Sequence, residues 1–350
     1  MIGMKKVLIV GLGGVGQRHV RNLRHLLKDD VELIAYRVRG LDQVVTPTLS
    51  VDKGKDVEQE YAITAYSSLD TALEQKPDIA VISNPSSLHV PVAQVCAEAN
   101  CDLFIEKPLS HSLAGLKELN DTVERNKLVA MVGYQLRFHP CLLTLKEILA
   151  SGELGEILSV RSIIGEYLPN WHPYEDYRTM YAASQELGGG VVLSQIHEFD
   201  YLYSLFGLPT KLYAIGGHWS HLEIDVEDTA SVLMHFIYKG RALPVHLNQD
   251  YLQDPPSRQC EIVGDRGRAV ADFRALTVTV NKANTPPAVY DFKDFDRNQM
   301  FIGEIAHFLN CVETRTAPDV DLRAGMHSLE MALAVKRSMA SDSLVELNQY

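Results

Sequence analysis

The sequence predicts an α/β protein: a doubly wound parallel sheet followed by an α+β region whose open sheet is mostly antiparallel. Three observations carry this. In the first third, short β-branched apolar runs alternate with amphipathic stretches of helical period. The apolar run Val7-Leu8-Ile9-Val10 passes directly into Gly11-Leu12-Gly13-Gly14-Val15-Gly16 and then into a helical pattern. After Gly152 the texture changes to alternating strands joined by short polar turns such as Lys239-Gly240 and Asp265-Arg266-Gly267. A chain of 350 residues exceeds what one core usually serves, so two regions are expected, 1–127 and 128–350, with the last helix packing back on the first.

In chain order, the first region is expected to place strands at 6–10, 32–36, 79–83, 103–106 and 129–133. Helices are expected between them at 14–27, 68–75, 90–99 and 113–126, each with apolar residues at helical spacing. Residues 40–60, polar and unpatterned, read as an exposed excursion. The second region is expected to place strands at 157–167, 211–218, 229–238, 241–250, 259–263, 269–272 and 276–281, then helices at 298–315 and 322–339. No internal repeat and no low-complexity segment interrupts the pattern.

Composition narrows the function classes. Hydrophobic residues make up 46% and charged residues 22%, which excludes collagen-like, disordered and disulfide-scaffold chains. A net charge of −12 argues against a general electrostatic grip on nucleic acid or an anionic membrane, and no apolar run approaches the roughly 20 residues that span a bilayer. The five cysteines form no CxxC pair, as expected for free thiols in a reducing cytoplasm with no structural metal. The N-terminal apolar run reads as a first strand and not as a leader.

The glycine loop carries the first chemistry. Gly11 permits the tight turn, Gly13 lets backbone N–H groups approach a pyrophosphate, and Gly16 lets the helix pack on the sheet with its N-terminal dipole toward the phosphates; Gly14 and Val15 complete the loop. A glycine-rich turn without ligand is the alternative. At the end of the second strand, where selection of NAD usually needs a carboxylate, stand Tyr36, Arg37, Val38 and Arg39, with no acid before Asp42. Residues 1–40 also hold eight Lys or Arg against three acids, so NADP is preferred over NAD, with arginine reading the 2′-phosphate. The competing reading is that the two arginines only solvate a loop.

Two further strand ends point at the same crevice: Ser83-Asn84-Pro85, with His89 just beyond, and Glu106-Lys107-Pro108. On spacing alone, Lys107 beside Glu106 also fits a surface pair. The last cluster runs from Gly188-Gly189-Gly190 to His197 and Asp200, which share a helix face at i and i+3. Histidine suits proton transfer near neutrality, although a buried histidine can equally be structural. His172 is a candidate pocket residue.

Together the glycine loop, Glu106-Lys107-Pro108, the run from Gly133 through Gln135 and Arg137 to Pro140, and the triple glycine leading to His197 resemble the Gfo/Idh/MocA oxidoreductase family. The resemblance covers nearly the whole chain. It implies a Rossmann region, NAD(P), and hydride transfer between nicotinamide and a carbinol or ketone of a sugar, nucleotide sugar, cyclitol or related polyol. It assigns Lys107 and His197 to catalysis; Gln135, Asp200, Tyr177 and Arg178 are further expected toward substrate, and Glu106 and Lys107 beside the cofactor. A homodimer or homotetramer is expected. One departure stands out: many members carry an aspartate three or four residues before the histidine, where this chain has Leu193 and Ser194. That leaves two alternatives open, a dinucleotide-dependent sensor without turnover and a glycosidase-like net reaction through transient oxidation.

Overall fold

A computed structural model describes residues 4–38, 43–46, 50–172 and 174–347. The first sheet holds six parallel strands: β1 (Lys5–Val10), β2 (Val31–Tyr36), β5 (Thr64–Tyr66), β6 (Ile79–Ile82), β7 (Asp102–Glu106) and β8 (Ala130–Gly133). Their spatial order is β5-β2-β1-β6-β7-β8, so the order reverses between β1 and β6. The carboxyl ends of those two strands therefore flank a crevice, the usual ligand position of an open parallel sheet. The helices α1 (Gly14–Leu27), α3 (Leu69–Leu73), α4 (His89–Glu98) and α5 (Leu116–Arg125) cross between strands, close to expectation. The strand β5 was not expected: three residues carry too little pattern to be read as a strand.

Residues 40–60 depart from the expected exposed excursion. The described part forms a hairpin, β3 (Gln43–Val45) with β4 (Val51–Lys53), and a short helix α2 (Val57–Tyr61). Val44, Val45, Val57 and Tyr61 are buried, and Val45 N–H is held by Gln17 Oε1 at 2.7 Å, so four apolar side chains tie this segment to α1. Arg39 and Asp42 lie outside the described residues.

The second sheet has nine strands in the order β16-β15-β14-β13-β9-β12-β11-β10-β17. These are β9 (Ile157–Gly165), β10 (Lys211–Gly217), β11 (Thr229–Tyr238), β12 (Arg241–Asp250), β13 (Ser257–Gly264), β14 (Gly267–Asp272), β15 (Thr277–Asn281), β16 (Ala288–Asp291) and β17 (Val345–Glu346). All neighbours are antiparallel except β9 and β12. One face is covered by α6 (Pro140–Ser151), α7 (Val191–Ser194), α8 (His197–Phe206) and α10 (Leu322–Ser341). The other leaves Leu158, Ile163, Ile215, Leu233 and Ile237 exposed.

The last helix, α10, packs chiefly on β10 and α8 and meets the first sheet near Val132, against Gly325. The helix that returns to the first sheet is the one before it, α9 (Asn298–Thr314). Its Ile305, Phe308, Cys311 and Val312 share a core with Val7, Ile9, Leu33, Phe104 and Met131.

His139 shows how a single side chain fixes an entry to this layer. As N-cap of α6 it accepts the Cys141 N–H on Nδ1 at 3.1 Å, which requires that nitrogen to be unprotonated. Burial, then the Arg258 charge, pulls its pKa down to about 4. A histidine with a folded pKa below its unfolded value of about 6.5 contributes fully above 6.5 and loses that contribution as pH falls toward 4. Between pH 7.5 and pH 5 it should cost about 2 kcal/mol. Urea midpoints at the two pH values should differ by less in His139→Asn, which keeps a capping oxygen without the titration; an equal acid loss in both proteins would refute the assignment.

Candidate active site

The glycine loop has the packing its spacing predicts. A Cβ at Gly16 would sit 2.0 Å from the Gly11 carbonyl oxygen, and one at Gly11 would meet the Ser83–Asn84 backbone at 3.1 Å. At Gly13, by contrast, it would meet nothing within 4 Å. Gly13 caps α1 with no side-chain hydrogen bond and no acid in the first turn, so free N–H groups and the positive end of the helix face that open space. This cradle fits a pyrophosphate. Asn84 adds a buried Oδ1 without a hydrogen-bond partner at the neighbouring strand end. Beyond β2, Arg37 is largely covered, with Nη1 3.5 Å from Glu58 Oε1.

His89 does not reach the crevice as a ligand. Its ring nitrogens lie 2.8 Å from the Pro108 and Asn84 carbonyl oxygens, so it staples the ends of β6 and β7 together. Behind β7, Glu106 is buried and accepts from His19 Nε2 at 2.6 Å on one oxygen and from the Lys107 N–H at 3.2 Å on the other. Burial acts to raise the Glu106 pKa, but the His19 hydrogen bond and charge outweigh it and the net shift is downward. Glu304 of α9 closes this trio, with both carboxyl oxygens buried and unpartnered. Burial and then the Glu106 charge push its pKa well upward, favouring the neutral carboxyl. The 2.6 Å contact is a hydrogen bond, too short for two ligands of a tetrahedral zinc, which would stand about 3.3 Å apart.

Lys107, at the end of β7, crosses to the second region and donates from Nζ to the Ser194 carbonyl of α7 at 2.9 Å. Three residues on, His197 opens α8 and is 5% exposed. Gln135 Nε2 lies 3.1 Å from its Nε2, and Tyr134 packs edge-on against the ring. The His197 Nδ1, Gln135 Oε1 and Ser194 Oγ are all buried without a hydrogen-bond partner. Burial, followed by the charges of Lys107, Arg258 and Arg297, holds the His197 pKa well below its ordinary value. The imidazole is therefore neutral at physiological pH and able to accept a proton.

Four expected substrate residues are placed elsewhere. Asp200 is 1% exposed and accepts a bidentate pair from Arg137 at 2.7 and 2.8 Å, with Ser328 Oγ at 3.2 Å, so its carboxylate fixes α8 against α10 and is not open to a ligand. Arg178 is exposed and held by Asp176 and Glu223. The Tyr177 hydroxyl accepts from the Glu223 N–H at 3.2 Å. His172 pairs with Glu175 at 2.6 Å and stacks on Tyr174. Sequence reasoning passed over Tyr174, His19 and Glu304. The spacing of His19 one turn after Gly16, and an acid in the apolar run Phe301 to Ile305, were the available signals for the last two.

A parallel sheet whose strand order reverses at a glycine loop, with Lys107 at the end of β7 held by the carbonyl of Ser194, three residues before His197, is the frame of a dinucleotide-dependent oxidoreductase. The chain belongs to the GFO/IDH/MocA oxidoreductase family. Residues 5–134 match its NAD-binding Rossmann-fold model and residues 142–270 its C-terminal domain, together about three quarters of the chain. It is 25% identical over 356 aligned positions, 98% of this chain and 99% of the other, to myo-inositol 2-dehydrogenase of Thermotoga maritima. Among solved structures it resembles levoglucosan dehydrogenase with NADH and levoglucosan (TM-score 0.82, 17% identity, 99% and 100% coverage). It also resembles the WlbA dehydrogenase of Bordetella pertussis with NADH and UDP-GlcNAcA (TM-score 0.81, 20% identity, 100% and 99% coverage).

Proposed function

We propose that this oxidoreductase interconverts a secondary alcohol and a ketone on a sugar, nucleotide sugar, cyclitol or related polyol. The observation that carries this reading is the neutral, buried His197 with an unpartnered Nδ1, three residues after Ser194, whose carbonyl holds Lys107. The inositol and levoglucosan named for its relatives support the substrate class. When bound over Gly13, the nicotinamide dinucleotide supplies the hydride chemistry. His197 accepts the hydroxyl proton during oxidation and returns it during reduction. Lys107, anchored by Ser194 and with two donors left, holds the reacting oxygen and stabilises the negative charge that develops on it. Gln135 orients the imidazole: with its amide turned so that Oε1 accepts from the His197 Nε2–H, Nδ1 is the nitrogen left to take the proton. Ser194 stands near the position where many family members carry an acid, and here its carbonyl aims the lysine. The test is a screen of sugars, cyclitols and nucleotide sugars with both cofactors, read at the reduced-nicotinamide absorbance band. A dinucleotide that binds but is never turned over would favour the sensor, and one left unchanged after substrate turnover the glycosidase-like route.

NADP is the cofactor this reading favours, because β2 ends in Tyr36, Arg37 and Val38 without a carboxylate. Glu58 faces Arg37 and would share the guanidinium with a 2′-phosphate. A hydrogen bond to a charged phosphate is worth roughly 1.5–3 kcal/mol, so Arg37→Ala should raise the NADP dissociation constant at least tenfold and that of NAD little. Equal rises in calorimetric titration would show that Arg37 does not read the 2′-phosphate.

The setting we infer is cytoplasmic, consistent with five free buried cysteines. The exposed Ile215, Leu233 and Ile237 on the open face of the second sheet suit pairing with another copy as a homodimer or homotetramer, and sedimentation showing a monomer at micromolar concentration would reject it.

A further inference from the structure

A segment between β9 and α7 reaches from the second region to the glycine loop. On its own side it is anchored by backbone and side-chain bonds. Leu168 N–H donates to the Tyr251 carbonyl at 3.0 Å, Asn170 Nδ2 to Asp254 at 3.0 Å, and Trp171 packs edge-on against Tyr251. On the far side Tyr174 arrives at the start of α1, where its hydroxyl would lie 2.9 Å from a Cβ built on Gly14. That contact gives Gly14 a second reason to lack a side chain. The Tyr174 ring is stacked on His172, with an interplanar angle of 11°, which fixes its direction.

Two features of this corner point to an anion. The Tyr174 hydroxyl makes no hydrogen bond among the described residues, yet it stands beside the open space over Gly13 and the uncapped helix end. Arg18, one turn into α1, lies over the Phe301 ring at 4.3 Å and has no ion pair among the described residues. The Arg18 charge is felt at Tyr174, although burial and then Glu175 raise the phenol to about 12 and keep it a donor. A neutral O–H, a guanidinium and free helix N–H groups make a donor set complementary to phosphate oxygens.

We propose that Tyr174 is a dinucleotide-binding residue: its hydroxyl donates to the pyrophosphate lying over Gly13, beside Arg18, so the second region completes the cofactor site. The inference rests on the dinucleotide reading of the glycine loop and adds a contact that the loop cannot supply.

The test titrates NADH and NADPH into the full-length protein, its Tyr174→Phe variant and Gly13→Val. Tyr174→Phe removes one oxygen at a site with no internal hydrogen bond to lose, so the fold should be undisturbed. The pyrophosphate is common to both cofactors, and both dissociation constants should therefore rise by roughly tenfold or more. Adenosine, which lacks both phosphates, should be affected much less. Unchanged or tighter NADH and NADPH binding in Tyr174→Phe, with Gly13→Val abolishing it, would overturn the Tyr174 contact alone. If Gly13→Val also binds normally, the glycine-loop reading itself fails.

Discussion

Replacing His197 with alanine should lower turnover by about a hundred- to ten-thousandfold and leave dinucleotide affinity nearly intact, the range expected for loss of a general acid-base group. The geometry explains the separation of effects. His197 opens α8 in the second region, whereas the cradle for the phosphates is built by β1, α1 and the end of β6. Because burial and three cations keep the imidazole neutral, wild-type alcohol oxidation should not lose its base until pH falls well below the ordinary histidine range. Protonation would remove the acceptor, so the acid limb marks a falling rate with falling pH. Single-turnover hydride transfer with a substrate from the screen, followed from pH 4.5 to 9, reads both effects. A near wild-type rate in His197→Ala throughout that range would defeat the assignment and move the proton to a bound water.

Lys107→Met should be comparably damaging, about a hundred- to a thousandfold in turnover, by a different route. Methionine nearly matches the length of the lysine stem but carries no charge and cannot donate to Ser194 or to a substrate oxygen. Its loss should appear in the turnover number more than in the Michaelis constant, since the charge on the oxygen grows only toward the transition state. The turn itself should survive, because the Glu106 carboxylate holds the backbone N–H of residue 107 and not its side chain. An unchanged turnover number with a raised Michaelis constant would make Lys107 a substrate anchor only.

The parallel first sheet and the glycine loop were legible in the sequence, because each rests on local pattern: β-branched runs and glycine spacing. What could not be read was which side chains are already taken by partners. Asp200 does share a face with His197, both meeting the 135–137 segment, but its carboxylate is held by Arg137, a residue 63 positions away in sequence. Arg178 looked like a pocket cation, yet acids at 176 and 223 hold it at the surface. Tyr174 failed in the opposite sense: nothing local distinguishes it from its neighbours, and its importance comes from Gly14, 160 positions earlier. Glu304 was hidden because a single acid in an apolar run is compatible with an exposed edge until α9 is seen to lie against β7.

The return of α9 to the first sheet also sets a timetable for synthesis. All six strands of that sheet have been translated by Gly133, but Phe104 and Met131 on one of its faces are not covered until Ile305, Phe308 and Val312 arrive. At about 5–20 residues per second the ribosome takes roughly 10–40 s to make the intervening chain. During that interval the nascent protein carries a formed sheet with the part of one face over β7 and β8 incompletely covered, a natural station for a holding chaperone. Ribosome-stalled chains ending before Asn298 should accordingly be cut by protease within the first sheet, and chains stalled well beyond Val312 should resist.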